Sequence, residues 1–511
     1  MIKISGTSLS KVDRSDTKYA LLEKTNPRIA AKDATTWGPA AAPEAAVRLN
    51  WVDLDETSRQ LLPALDAIAA KFRDRTDLVL CGMGGSSLAP EVIAKTYGKK
   101  IFIVDSTDPD YLAHAIKGSP ADLLVLVSSK SGSTIETASQ RAFFESHLRN
   151  AGLNPVDHML FVTDPGSPLD VQVRAAGFTV INADPHVGGR FSALTAFGLT
   201  PSTLMGVDAS VLLDQASDAR SQIISDPQFI LDVSYLLLTQ AEQFLGFTDA
   251  GSKYPGLSDW IEQLIAESTG KKELGRLPIA TEGFTQAQSG GAFSVSFAPG
   301  AQLVVEAELG EHFLFWEWVT ALISAVLEID PFNQPNVTEA KEATSKILTE
   351  WSNKLPEITA PAVYGDVAIF GDGNTLVASL KNLIATTDAQ GYIAIMAYLD
   401  RKDDVAITKL REILSAKSGR PVSFGWGPRF LHSTGQFHKG GQQNGSFLQI
   451  TGECKNNYEI PGREFDFKTL LMAQALGDAR ALATRKYPLL RLHLTDRSAG
   501  IDQILNAAQA L

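Results

Sequence analysis

The stretch Leu123-Leu124-Val125-Leu126-Val127-Ser128-Ser129-Lys130-Ser131-Gly132-Ser133-Thr134-Ile135-Glu136-Thr137 constrains the fold more than any other, because an unbroken apolar run stops at a loop crowded with hydroxyls. The run predicts a strand buried on both faces, as in parallel sheets covered by helices. Gly132 permits a tight turn. The helical pattern from Thr134 to Asn150 would offer backbone N–H groups and a positive dipole end to an anion. Ser129, Ser131, Thr134 and Thr137 add hydroxyls, and Lys130 adds a positive charge. The stretch therefore reads as a phosphate cradle. It lacks the GxxxxGK core of a P-loop, so a phosphate ester smaller than a nucleoside triphosphate is the expected guest.

A second loop of the same character lies upstream, where Leu78-Val79-Leu80-Cys81 runs into Gly82-Met83-Gly84-Gly85-Ser86-Ser87 and a helical pattern from Leu88 to Tyr97. Alone it is also compatible with an ordinary tight strand-to-helix turn; paired with the first it marks the carboxyl ends of parallel strands, where open α/β sheets bind ligands. Strand-like runs at Ile101 to Val104, Met159 to Thr163 and Phe178 to Asn182 alternate with helical patterns at Pro109 to Ile116 and Pro168 to Ala176. This alternation predicts an α/β fold. Residues 1–56, with the stretch Trp37-Gly38-Pro39-Ala40-Ala41-Ala42-Pro43, read as an N-terminal extension and connector. Residues 57–207 read as a first α/β domain, and 208–511 as a second with helical insertions. Its strand candidates are Phe293 to Phe297, Leu303 to Glu306, Val367 to Phe370, Tyr392 to Tyr398, Phe447 to Thr451 and Leu489 to Leu494.

A net charge of −12 argues against nucleic acid or an anionic membrane as the main partner, so cations facing a phosphate must be concentrated locally. Two cysteines, Cys81 and Cys454, are too few for a disulfide framework and fit a reducing cytoplasm. The N-terminus has no apolar core of the signal-peptide type, and the most apolar segment, Phe313 to Ile329, is interrupted by Glu317, Thr320, Ser324 and Glu328. It predicts a buried helix rather than a membrane span.

Several residues have chemical potential. Glu267 ends the helical stretch Leu257 to Lys271, with Ser258 the expected N-cap and Gly270 the expected stop. The negative end of a helix dipole suits a base, although a solvated glutamate fits the same pattern. Arg190 follows Gly188-Gly189, which would let the backbone approach a ligand while the guanidinium stabilises an oxyanion; a surface-loop arginine is the alternative. Lys341 falls on a helical pattern after Asn333-Gln334-Pro335-Asn336. His432 and His438 flank a turn, and without a carboxylate or cysteine at ligand spacing they suit acid/base work better than metal binding. Structural or surface roles are expected for His114, His147, His158, His186, His312 and His493.

Taken together, Gly82-Met83-Gly84-Gly85-Ser86, Ser129-Lys130-Ser131-Gly132-Ser133-Thr134, Gly188-Gly189-Arg190-Phe191-Ser192 and Glu267-Ser268-Thr269-Gly270-Lys271 resemble, in kind and in order, the motifs of the glucose-6-phosphate isomerase family over roughly residues 57 to 345. The resemblance implies two sugar-isomerase (SIS) type, flavodoxin-like α/β lobes. It implies Gly85, Ser86, Ser129, Lys130, Ser131, Thr134, Thr137, Gly189 and Gln334 around a sugar phosphate, Glu267 as the base between C2 and C1, and Arg190 near the enediolate. Phe332-Asn333-Gln334 with Lys341 is similar to the family's glutamine and lysine segment. Leu431-His432-Ser433-Thr434-Gly435-Gln436 is similar to its ring-opening histidine segment, here placed last, whereas in most members it falls between the glutamate and the glutamine/lysine segments. Asn26 to Trp37 and Arg48 to Val52 resemble the start of the isomerase half of bacterial transaldolase/isomerase fusions, although 56 residues are too few for a transaldolase barrel. The implied activity is metal-independent interconversion of glucose 6-phosphate and fructose 6-phosphate, without cofactor, nucleic acid or membrane partner, in a cytoplasmic protein that is a homodimer in the usual members. Mannose 6-phosphate as a further substrate, and a non-catalytic module that senses sugar phosphates, are the alternatives.

Overall fold

The computed structural model describes residues 1–240, 243–356 and 359–511. They divide into two compact units. The first comprises Met1–Asp105, Gly118–Ala287 and Phe293–Gln334, and the second Ser106–Lys117, Gln288–Ala292 and Pro335–Leu511.

The first unit holds two five-stranded sheets. One is wholly parallel, in the order Phe102–Val104, Asp77–Gly82, Leu123–Ser128, Met159–Thr163, Thr179–Asn182. Every residue of Leu123–Ser128 is buried, as its continuous apolar sequence requires of a central strand. The other sheet runs Lys3–Ser5, Leu303–Glu306, Phe293–Ser296, Phe244–Thr248, Leu277–Thr281, with only the first strand antiparallel. The second unit carries a six-stranded sheet, Ala362–Tyr364, Val367–Phe370, Leu489–Leu494, Gly445–Gly452, Tyr392–Tyr398, Val422–Trp426, parallel across its last four strands. The mostly parallel α/β class is as expected. The strands within 208–511 lie in two sheets, one in each unit.

The N-terminal extension is more than a connector. Lys3–Ser5 pairs with Leu303–Glu306, and Trp37 is buried edge-on against Phe332 with its indole N–H donating to the Ala321 carbonyl at 3.0 Å. An aromatic ring has far more apolar surface to bury than the flanking Pro and Ala residues, which explains why this stretch packs.

Phe313 to Ile329 is helical as expected, within the helix Leu309–Val326, and nearly all of that helix is buried. The consequence is severe for Glu317. Its carboxyl group is wholly buried, neither oxygen has a hydrogen-bond partner among the described residues, and burial pushes its pKa well above the usual carboxylate range. His312 on the same helix is also wholly buried, and its pKa is pushed down to about 3.

The signs oppose. Glu317 holds its proton in the fold but loses it from the unfolded chain above its ordinary pKa, so its contribution falls as pH rises from 4.5. His312 stays neutral while the unfolded chain takes up a proton, so its contribution falls as pH drops from 6.5 towards about 3. Glu317→Leu should therefore stabilise the protein, and its advantage over the parent should widen by up to ~1.4 kcal/mol per pH unit above the carboxylate range. Thermal melts of both proteins from pH 5 to 8 check this; an advantage that does not change with pH would count against it.

Candidate functional site

In the first unit, the helix Leu257–Thr269 presents Glu267. Its N-terminus is secured differently from the sequence expectation. Asp249, not Ser258, does the capping: its carboxylate accepts from the Gly256 N–H at 2.6 Å, the Ser258 N–H at 2.9 Å and the Ser258 hydroxyl at 2.7 Å. Gly270 is the C-cap, as expected. Gln263, one turn back, donates its side-chain amide to Glu267 Oε2 at 3.1 Å, while Glu267 Oε1 lies 3.3 Å from Arg190 Nη1. The carboxylate is thus oriented from two sides.

Arg190 is buried, and each of its nitrogens has a partner. Nε donates to the Ser268 hydroxyl at 2.7 Å, Nη1 to Gln334 Oε1 at 3.1 Å, and Nη2 to the carbonyls of Asn333, at 3.0 Å, and Pro331. Burial lowers its pKa from the ordinary arginine value, but that value is so high that the group stays charged. Lys271 is buried beside it and donates to the Asp330 carbonyl. Desolvation, followed by repulsion from Arg190, pushes its pKa well below that of a free lysine.

The glycine turns meet here. A Cβ on Gly85 would lie 1.9 Å from the Gly189 carbonyl oxygen, so any larger residue would prise apart the 84–86 and 189–191 turns. The hydroxyl loop is shaped by its own members. Ser129 Oγ accepts from the Gly132 N–H at 3.1 Å, and Ser131 Oγ lies 2.6 Å from Ser133 Oγ. Gly132 has φ +75°, and a Cβ there would strike Leu169 Cβ at 2.4 Å. Thr134 is the N-cap residue of Ile135–Asn150, without any side-chain capping bond, and Thr137 is buried in the first turn. Lys130 is held in an ion pair with Asp164 at 2.8 Å and also donates to the Pro185 carbonyl, so its charge is balanced within the protein.

Gln334 and the half-buried Ser86 complete the sequence-derived residues in this unit. Lys341 and His432 belong to the second unit. Lys341 is exposed on the helix Val337–Glu350, and the half-buried His432 closes the short turn Arg429–His432. Their segments are tied by a reciprocal amide pair: Gln436 accepts from the Asn336 N–H at 2.9 Å and donates to Asn336 Oδ1 at 2.8 Å. His438, by contrast, is fully buried, stacked on Tyr392 with Nδ1 2.8 Å from its hydroxyl, and its pKa is pushed down to about 3. That makes it a neutral core residue.

Gln263, Ser268 and Lys271 were not singled out from sequence. A signal existed for one of them, since Gln263 stands four residues before Glu267 on the same helix, the spacing of side chains that share a helix face, whereas Lys271 lies past the Gly270 cap.

Several curated relatives of the chain are named glucose-6-phosphate isomerase. The isomerase of Citrifermentans bemidjiense is 32% identical over 262 residues, 46% of this chain and 48% of the relative. That of Thermus thermophilus is 30% identical over 264 residues, 49% of this chain and 60% of the relative. A probable glucose-6-phosphate isomerase of Haloquadratum walsbyi is 27% identical over 234 residues. The chain spans about half the length of the curated relatives it matches. Among solved structures, a glucose-6-phosphate isomerase from Chlamydia trachomatis shares the fold over 69% of this chain and 89% of its own, with a TM-score of 0.55 and 17% identity. No family model matches the chain. Among the described residues, no helix is long and apolar enough to cross a membrane.

If the hydroxyl loop holds a phosphate, Ser131→Ala combined with Thr134→Val should weaken binding of a sugar-phosphate inhibitor, because each donor lost to a charged group costs about 1.5–3 kcal/mol. A calorimetric titration checks this, and unchanged affinity in a folded variant would remove the loop from the site.

Proposed function

We propose that the protein is an aldose-ketose isomerase that interconverts glucose 6-phosphate and fructose 6-phosphate. The observation that carries this reading is Glu267 itself, a carboxylate oriented by Gln263 on one oxygen and facing a fixed guanidinium with the other. Glu267 takes the C2 proton from the open-chain aldose. The electron pair moves into a C1–C2 double bond, and the C1 carbonyl oxygen becomes an enediolate oxygen. Glu267 then returns its proton to C1 while the O2 hydroxyl proton passes to the enediolate oxygen O1, leaving a hydroxyl at C1 and the ketose carbonyl at C2.

The developing oxyanion needs a preorganised donor, and Arg190 is the candidate. Four of its contacts are to neutral oxygens, so its charge is not consumed by them. The Gln334 amide oxygen on Nη1 belongs to an exposed side chain and is the partner a substrate oxygen would displace. The phosphate, held by the Ser129–Thr137 loop with Gly85 and Ser86, would anchor the sugar so that C2 meets Glu267 in a reactive pose. His432, with Lys341, is assigned to opening the ring. The proposed carbon chemistry is a proton transfer and calls on no cofactor. The proposal extends to a cytoplasmic, homodimeric enzyme.

His432→Ala should impair turnover of ring-forming fructose 6-phosphate much more than turnover of a four-carbon aldose phosphate that cannot close a pyranose, since ring opening and proton transfer use separate groups. His438→Ala serves as the control and should show no such selectivity. Steady-state rates on both substrates decide the matter. Equal losses for His432→Ala, or selectivity in His438→Ala, would take ring opening away from His432.

A further inference from the structure

In the second unit the chain leaves the strand Tyr392–Tyr398 for the edge strand Val422–Trp426 and then returns to Gly445–Gly452 on the opposite side. The order of the parallel strands reverses there, and the crevice beyond their carboxyl ends is where open α/β sheets take ligands. Segment Ser106–Lys117, including the helix Pro109–His114, belongs to this unit. His114 Nε2 lies 2.9 Å from Asp400 Oδ2 and 3.4 Å from Asp403 Oδ2, on the loop that follows Tyr392–Tyr398. All three ligand atoms fall within 4.8 Å of one another.

We propose that His114, Asp400 and Asp403 bind one divalent first-row metal ion of the zinc type, which clasps the Pro109–His114 helix to the loop after Tyr392–Tyr398. Three features support it. Tetrahedral bonds of ~2.0–2.1 Å place ligand atoms ~3.3 Å apart, close to the two spacings observed. The Asp400 carboxylate is already oriented, because Oδ1 accepts from the backbone N–H of Lys402 at 2.8 Å and of Asp403 at 3.3 Å, leaving Oδ2 towards the histidine. The His114 and Asp400 side chains are only 4% and 2% exposed, whereas Asp403 is 69% exposed, so the site is anchored inside and open to solvent on one side.

The neighbouring cations set the competition. Lys117 Nζ, 2.9 Å from His114 Nδ1, can only donate, so without metal the imidazole carries its proton on Nε2 towards Asp400. Metal binding moves that proton to Nδ1 and releases the exposed Lys117 into solvent. Arg401 is engaged by Tyr111, its Nε donating to the phenol oxygen at 2.8 Å. Because 286 residues separate His114 from Asp400, no spacing rule in the sequence pairs them.

The test is a titration of the chelator-stripped full chain with Co²⁺, read by its visible absorption, followed by displacement with Zn²⁺. One equivalent should bind and raise the melting temperature. His114→Ala and Asp403→Asn should each weaken binding by about 100-fold or more, and Asp403→Asn, being exposed, keeps the test valid if His114→Ala fails to fold. Lys117→Ala should tighten binding by about 10-fold, since it removes a competing group behind the ligand. Absence of stoichiometric binding overturns the proposal, as does binding that survives Asp403→Asn, or binding lost in Cys454→Ser, which would place the metal on the separate group Asp108, Asp110 and Cys454.

Discussion

Glu267→Gln should still bind sugar phosphate but lose about 100-fold or more in turnover, together with the exchange of solvent deuterium into C1 and C2. The amide keeps the shape of the carboxylate and one acceptor oxygen, which can still face Arg190, while its NH2 group pairs with Gln263 only once the Gln263 amide turns its oxygen towards it. What goes is the ability to take a proton. Binding should change less than rate, because the carboxylate acts on the C2 proton while the phosphate loop supplies the anchoring contacts. A variant that exchanges label at the parental rate would assign the proton transfer to another group.

The second large effect concerns a buried ion pair in the second unit. Lys439 and Asp478 form a 2.6 Å ion pair with both side chains almost completely buried, linking the short helix Gly435–Gly440 to the helix Phe467–Ala483. Removing one partner strands a charge away from water, so Asp478→Ala should destabilise the protein by about 3–5 kcal/mol. Lys439→Met with Asp478→Leu removes both charges while keeping similar volume, and should recover most of that loss. Chemical denaturation of the single and double variants measures the difference. A double variant as unstable as the single one would mean that packing, not charge, holds these helices.

The first sheet was legible from sequence because strands buried on both faces have no polar alternation to obscure them, as in Leu123–Ser128 and Met159–Thr163. The missed strands fail that test. Leu277–Thr281 contains Pro278 and Phe244–Thr248 contains Gly246, residues that read as turn formers. Lys3–Ser5 is three residues long and is a strand only because Val304, Val305 and Glu306, some 300 residues away, pair with it.

The site shows the same division. Glu267, Arg190 and the hydroxyl loop stand out because side-chain chemistry is written in the sequence. The carbonyls of Pro331 and Asn333 that fix Arg190 are not, since every residue has a carbonyl and only the fold chooses which ones converge. Lys130 shows both sides: its charge is legible in the sequence, but its pairing with Asp164, which comes from another strand-to-helix loop, is not.

The central claim, that this chain catalyses isomerisation rather than only holding a sugar phosphate, is tested most directly by incubating the purified full chain with fructose 6-phosphate and following glucose 6-phosphate by coupled oxidation. Turnover on the order of 1–10³ per second, abolished in Glu267→Gln, is the expected result. Saturable binding of fructose 6-phosphate with no product formed would contradict the account and make the protein a sugar-phosphate sensor.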